Sequence, residues 1–315
     1  MRKLFLYLIL LISFNVTSQN FKEINEKLKK YPKQITAKRL AKKVAKDFSS
    51  KEGQAKAVFY WVSNNIKYNL SAYQNQSQKR IGFSYKNEED RLQKIQAIKD
   101  SIVAKTLKTN KGVCEGYAQT LAKVFSYLGF ENEVIKGYVR NSIYDIGEKL
   151  NVPNHAWNVV KINNKWVLMD ATWASGAVIN GRWQPNFNEY FFNFPKKHYL
   201  KTHYPKDKKW LFGMKLSKKE FYDQPIYSSD FLKTNLELLG PLKGIIKTKN
   251  TVLLKVKNLS SFQTVLCGLS SYRFAKKPSL IYKNDVGYIK ITPTKNCNKL
   301  FLVVDGKIYI EYKLI

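Results

Sequence analysis

The hydrophobic periods along the chain predict an α+β fold, with N-terminal helices and an antiparallel sheet, followed by a small all-β domain. Three observations carry this. Apolar residues recur at helical spacing over 20–66 and again over 114–128. Between 155 and 173 two β-prone runs are joined by Asn163-Asn164, a hairpin signature because Asn tolerates the positive φ of tight turns. Beyond Pro225, short β-branched runs follow at 244–248, 251–256, 262–266, 286–291, 300–304 and 307–314, separated by Asn, Gly, Ser or Pro, as in a small sandwich. The expected division is a signal peptide over 1–18, an α+β domain over 19–225 and a β-sandwich-like domain over 226–315.

Taken in order, Met1-Arg2-Lys3 precedes an apolar run from Leu4 to Phe14 and then Val16-Thr17-Ser18, the layout of a secretory signal peptide. Cleavage after Ser18 is expected. No Cys lies near the cut to carry a lipid anchor, and the run is short for a membrane span, which makes an uncleaved anchor the lesser alternative. A secreted or periplasmic location follows. The chain is strongly basic, +32 from 55 Lys and Arg against 23 Asp and Glu, with lysines spread throughout and denser around 38–46 and 205–219. Such charge attracts polyanions, for instance an anionic cell-envelope polymer; the plainer reading is a solvated basic surface. No zinc-knuckle, helix-turn-helix or RNA-binding signature accompanies it.

Ile35, Leu40, Val44 and Phe48 form one apolar stripe, and Ser49 with Glu52 has capping-box spacing before a second helix carrying Ala55, Val58, Phe59, Val62 and Ile66. Trp61 and Tyr68 are candidates to line a site. Residues 71–110 are polar, with one further helix over Leu92–Leu107 that could wall a cleft.

The chemistry centres on Gly112-Val113-Cys114-Glu115-Gly116-Tyr117-Ala118. Lys111-Gly112 reads as a turn, and Tyr117, Ala118, Leu121, Ala122, Phe125 and Leu128 continue a buried amphipathic helix that stops at Gly129. Cys114 then sits in its first turn. There the dipole favours a thiolate, and free N–H groups can hold an oxyanion. After a strand over 131–140 comes the hairpin. If Ile162 faces Lys165, His155 opposes Thr172 and Trp157 opposes Asp170, which leaves His155 and Asp170 diagonal neighbours on one face, roughly 7–8 Å apart at Cβ. A slip of one residue would separate them. Cys114, His155 and Asp170 then have the roles of nucleophile, general base and orienter. A buried structural cysteine, a hydrogen-bonded histidine and a capping aspartate are the plainer readings of each alone. His198 and His203, five residues apart with no Cys or carboxylate cluster beside them, do not make a metal site, and no cofactor is expected. Cys267 and Cys297 could pair in an exported protein and leave Cys114 the odd thiol, although pairings with Cys114 stay open.

Gly112–Ala118, His155-Ala156-Trp157-Asn158-Val159-Val160 and Trp166-Val167-Leu168-Met169-Asp170-Ala171-Thr172-Trp173 together resemble the transglutaminase-like superfamily, in particular its kyphoscoliosis-peptidase-type branch. Phe59–Val62 and Ile66–Asn69 upstream fit the same pattern, as do Tyr190–Phe192, Pro195, His203-Tyr204-Pro205, Asp207, Trp210, Phe221 and Pro225 downstream. The resemblance spans about residues 35–225. It implies a papain-like core with its triad on Cys114, His155 and Asp170, and acyl transfer through a thioester on protein or peptide amides. Peptidase or amidase hydrolysis is the leading expectation. A crosslinking transglutaminase and a non-catalytic binding module are the alternatives.

Overall fold

The computed structural model describes residues 20–75, 82–247, 251–294 and 296–315; the expected signal peptide lies outside them. Three helices come first, α1 (Phe21–Leu28), α2 (Ala37–Asp47) and α3 (Lys51–Asn65), each begun by a side chain that accepts a backbone N–H: Asn20 from Glu23, Thr36 from Arg39, Ser50 from Gly53. The cap of α3 is thus Ser50, one residue past the Ser49 expected. Phe48 still closes α2 through its N–H to Val44 O, so Ser49 is needed to turn the chain.

Next come β1 (Lys67–Tyr68), α4 (Leu70–Gln74), α5 (Glu88–Thr109), β2 (Lys111–Gly112) and α6 (Cys114–Tyr127). Lys111-Gly112 is a short strand parallel to β1 and not the turn expected; Asn110, with φ 49°, takes the turn one residue earlier. Helix α6 packs on α2, α3 and α5 and on the sheet strand that begins at His155. A side chain at Gly116 would meet Thr106 Oγ1 at 2.7 Å, so only glycine lets α5 lie this close to α6.

The first sheet is built from β3 (Asn132–Val139), β4 (His155–Ile162) and β5 (Lys165–Met169). After α7 (Ala171–Ser175), the hairpin β6 (Gly176–Ile179) and β7 (Arg182–Pro185), and α8 (Lys196–Thr202), it is completed by β8 (His203–Pro205), giving the antiparallel order β5-β4-β3-β8. Ile162 pairs with Lys165 as expected, on Asn163 and Asn164 at φ 48° and 60°. The ladder ends at Asn158 and Met169, however. Asp170 leaves the sheet to cap α7, so the expected pairs His155–Thr172 and Trp157–Asp170 do not form.

After α9 (Lys218–Asp223) come β9 (Ile226–Tyr227), α10 (Ser229–Leu232), β10 (Glu237–Gly240), β11 (Ile245–Ile246), β12 (Val252–Lys257), β13 (Val265–Leu269), β14 (Ser279–Lys283), β15 (Val286–Ile291), β16 (Lys299–Val304) and β17 (Lys307–Leu314). They form two sheets, β10-β12-β15-β14 and β11-β17-β16-β13, with β9 added on β17. Alternation decides the faces: Val252, Leu254 and Val256 are buried while Leu253 and Lys255 are exposed. The pattern missed β9, β10 and β14 and set β13 three residues early, at 262–266; β14 is a largely exposed edge strand.

Buried apolar side chains form two clusters, one within 24–222 and one within 227–314. The suggested Cys267–Cys297 bridge is absent, and all three cysteines are free. Register explains this. Cys267 faces Leu302, whereas Cys297 precedes the first residue of β16, Lys299. At roughly 3.3 Å per residue the step from Lys299 to Leu302 alone covers about 10 Å, more than the ~7 Å between Cα atoms that a disulfide spans.

Candidate active site

Helix α6 begins at Cys114, and Val113 at its N-cap supplies no side-chain acceptor. Gly116 N–H donates to Val113 O at 2.8 Å, which leaves the N–H groups of Cys114 and Glu115, ahead of the first intrahelical bond, to meet a ligand oxygen. Two ties fix α6 against its surroundings. Tyr117 Oη donates to Ile66 O and accepts from Ser175 Oγ at 3.2 Å; Asn158 Nδ2 donates to Ala118 O at 3.0 Å. The second sets the strand that carries His155 beside the helix that carries Cys114.

His155 opens β4 opposite Gly137, a glycine whose Cβ would run into Tyr204 O and the Trp157 ring. The imidazole lies between the Trp157 and Trp173 rings, with centroids at 6.0 and 5.9 Å. Its Nε2 donates to Asp170 Oδ2 at 2.7 Å, and both groups are buried. Asp170 acts twice. Oδ1 caps α7 by accepting from Thr172 N–H at 2.8 Å and Trp173 N–H at 3.1 Å, while Oδ2 faces the imidazole. The capping role and the orienting role coexist because a carboxylate has two oxygens.

A second imidazole shares Oδ2. His203 Nε2 lies 3.0 Å from it, and His203 Nδ1 lies 2.8 Å from Thr202 Oγ1. His203 reaches this position because β8 pairs with β3, Val139 facing His203. The buried Arg140 guanidinium secures the approach by donating to Lys201 O and Gln224 O. Sequence spacing had set His203 beside His198. The fold separates the two, and His198 Nδ1 lies on α8 at 3.0 Å from Tyr190 Oη.

The charges follow from these contacts. Burial opposes a charged His155, yet the Asp170 charge and hydrogen bond, and then the hydrogen bond and charge of Cys114, hold its pKa up to about 10. Burial likewise opposes an ionised Asp170, but the two imidazoles outweigh it and hold the carboxyl below the usual range. Burial pushes His203 down, with Asp170 opposing and the His155 charge adding to the fall. At neutral pH His155 carries the proton and His203 is neutral.

Tyr68 is half-buried. Burial raises its pKa first, and the Cys114 charge is the next cause, so the two are within electrostatic reach. The Tyr68 ring packs against Tyr73 at 5.9 Å and Trp183 at 5.3 Å, an aromatic wall next to the thiol. Trp61, the other candidate, is a core residue of α3. A polar groove runs between α5, α6 and β3, lined by Lys99, Asp100, Gln119, Lys123 and Lys136 among others. It contains none of Cys114, His155 and Asp170.

Among the described residues, His155, Asp170 and His203 bring three ligand-type atoms within 4.8 Å of one another. These separations are hydrogen-bond lengths on one shared oxygen, and a cation seated there would have to break both bonds. The donor set is accounted for without a metal.

Cys114 thus opens a helix, His155 opens an antiparallel strand, and Asp170 caps the short helix that follows the sheet. Residues 38–171 match the family model of the transglutaminase-like superfamily, and the chain carries a domain of that superfamily in an α+β fold. It is 27% identical to human kyphoscoliosis peptidase over 305 residues, which cover 92% of this chain and 42% of that protein; the mouse protein is 26% identical with the same coverage. Hillarin of Drosophila melanogaster is 23% identical over 147 residues, 42% of this chain and 18% of that protein. The chain therefore spans less than half the length of the curated relatives it matches.

Proposed function

We propose that the chain is a cysteine acyl-transfer enzyme that hydrolyses protein or peptide amides, with Cys114 as nucleophile, His155 as acid and base, and Asp170 as orienter. One observation supports this above the others: a buried 2.7 Å His155–Asp170 pair whose proton affinity is raised in part by Cys114. Nε2 of His155 is committed to Asp170, which leaves Nδ1 to exchange a proton with the thiol. The sulfur adds to the amide carbonyl, the oxyanion is met by N–H groups at the start of α6, and His155 gives its proton to the departing amine. A thioester remains. Water adds to it, His155 takes the water proton, the C–S bond breaks and the carboxylic acid leaves. Water is the acceptor because nothing in the chain singles out an amine site.

The basic, apolar start of the sequence supports export, and the charge of +32 supports attraction to an anionic envelope polymer; both belong to the same proposal. The test is digestion of a protein mixture in heavy-oxygen water. Hydrolysis places heavy oxygen in new carboxylates, whereas isopeptide crosslinks with ammonia release would mark a transamidase. Neither product, with Cys114 alkylated as fast as in the unfolded chain, would mark a non-catalytic module.

A further inference from the structure

We propose that His203 is a positioning residue of this site, a second and uncharged imidazole that holds the Asp170 carboxylate toward His155 through the oxygen the two imidazoles share. The inference rests on the acyl-transfer reading and goes beyond it, because that reading needs one imidazole and the site has two.

The hydrogen-bond inventory fixes the proton positions. Ionised Oδ2 of Asp170 only accepts, so the Nε2 atoms at 2.7 and 3.0 Å both carry hydrogen. Burial opposes a charge on His203, and the charge on His155, one ring away at 5.7 Å, opposes a second one. His155 is the one with a thiol as a further partner, and it takes the charge. A neutral His203 with hydrogen on Nε2 has a lone pair on Nδ1, and the Thr202 hydroxyl fills it at 2.8 Å, closer than its 3.3 Å approach to Tyr199 O. Thr202 thereby selects the tautomer that points a donor at Asp170.

The titratable groups facing His203 are Asp170, His155 at a ring distance of 5.7 Å and Tyr199 at 6.1 Å; Trp157, Trp173 and Phe194 supply the remaining walls. Asp170 is held at Oδ1 by two backbone N–H groups and at Oδ2 by His203, so its plane is set before His155 arrives. The same donor stabilises the ionised carboxylate. Its loss would let the carboxylate turn away from His155, the imidazolium would lose part of its counter-charge, and the acid limb of Cys114 reactivity would move up.

The experiment follows iodoacetamide alkylation of Cys114 against pH in the full chain, read by mass spectrometry of its peptide. His203→Phe keeps the ring and removes the donor, and is expected to move the acid limb up by about one pH unit. His203→Gln supplies an amide N–H and should restore the limb. Thr202→Val should move it in the same direction by less, and it carries the test if the Phe variant does not fold. A limb that stays in place in His203→Phe or Thr202→Val, whatever happens to thermal stability, would overturn the inference, as would a Gln variant that behaves like Phe. The two readings fail separately. If His155→Ala flattens the wild-type profile while His203→Phe leaves it in place, only the role of His203 is lost. If wild-type Cys114 reacts as it does in the unfolded chain, both are lost.

Discussion

The two halves of the molecule bury different things. Among the described residues, the buried polar and charged side chains all lie between Gln54 and His203, including Arg140, His155, Asn158, Asp170 and His203; within 226–315 only apolar side chains are buried. Their cysteines differ in the same way. Cys114 starts a helix beside an imidazole–carboxylate pair, whereas Cys267 lies in β13 among Leu and Val, where burial pushes its pKa up to about 12. A buried polar group costs stability unless it is hydrogen-bonded, and all 13 of those buried among the described residues fall in the half that carries the candidate site. The other half buries aliphatic and aromatic side chains with Cys267, and its strand ladders satisfy the backbone between them.

Substitutions can break this contrast. The largest effect is expected for Cys114→Ala, which should lower turnover by about 10⁴-fold or more and move the thermal midpoint by no more than about 2 °C. A large fall in the midpoint with little loss of turnover would make Cys114 a structural residue. Asp170→Asn comes next. It should slow turnover by about 10³–10⁴-fold with binding less affected, and cost about 3 kcal/mol in urea unfolding, because an amide leaves one imidazole facing another donor.

Leu302→Ala tests the apolar half. Leu302 is fully buried between the two sheets, and its truncation should cost about 3 kcal/mol. Below the unfolding transition the Cys114 alkylation profile should be unchanged; a shifted profile would mean that the β half helps to shape the site.

The last effect is in pH. His155 is held up from an ordinary value of about 6.5 to about 10 when folded. Its contribution to stability is therefore complete below the lower value and is lost as pH rises through the upper one. Asp170 is held down, so its contribution is present above about 3.9 and is lost as pH falls. Unfolding free energy measured from pH 6 to 10 should decline, and His155→Ala should flatten the decline. An equal slope in that variant would place the ionisation elsewhere.

Much of this was readable in advance because it is local. The helical stripe after Cys114, the Asn163-Asn164 turn and the register that sums Ile162 with Lys165 all depend on residues within a few positions of one another. Where the reading slipped, a neighbour outside the window decided: Phe48 closing α2 moved a cap from Ser49 to Ser50, and Asp170 left the ladder because α7 needed an N-cap. The proposed bridge between Cys267 and Cys297 failed for a related reason, since cysteine counting says nothing about strand register.

The order of residues by itself determined the α+β class, the hairpin and the candidate trio Cys114, His155 and Asp170, since periodicity and turn chemistry act over short spans. Only the tertiary structure decided that His203, 33 positions beyond Asp170, would share its oxygen. That contact exists because β8 returns to pair with β3 and brings a second imidazole to the same carboxylate oxygen. No spacing rule along the chain encodes a meeting made by sheet order.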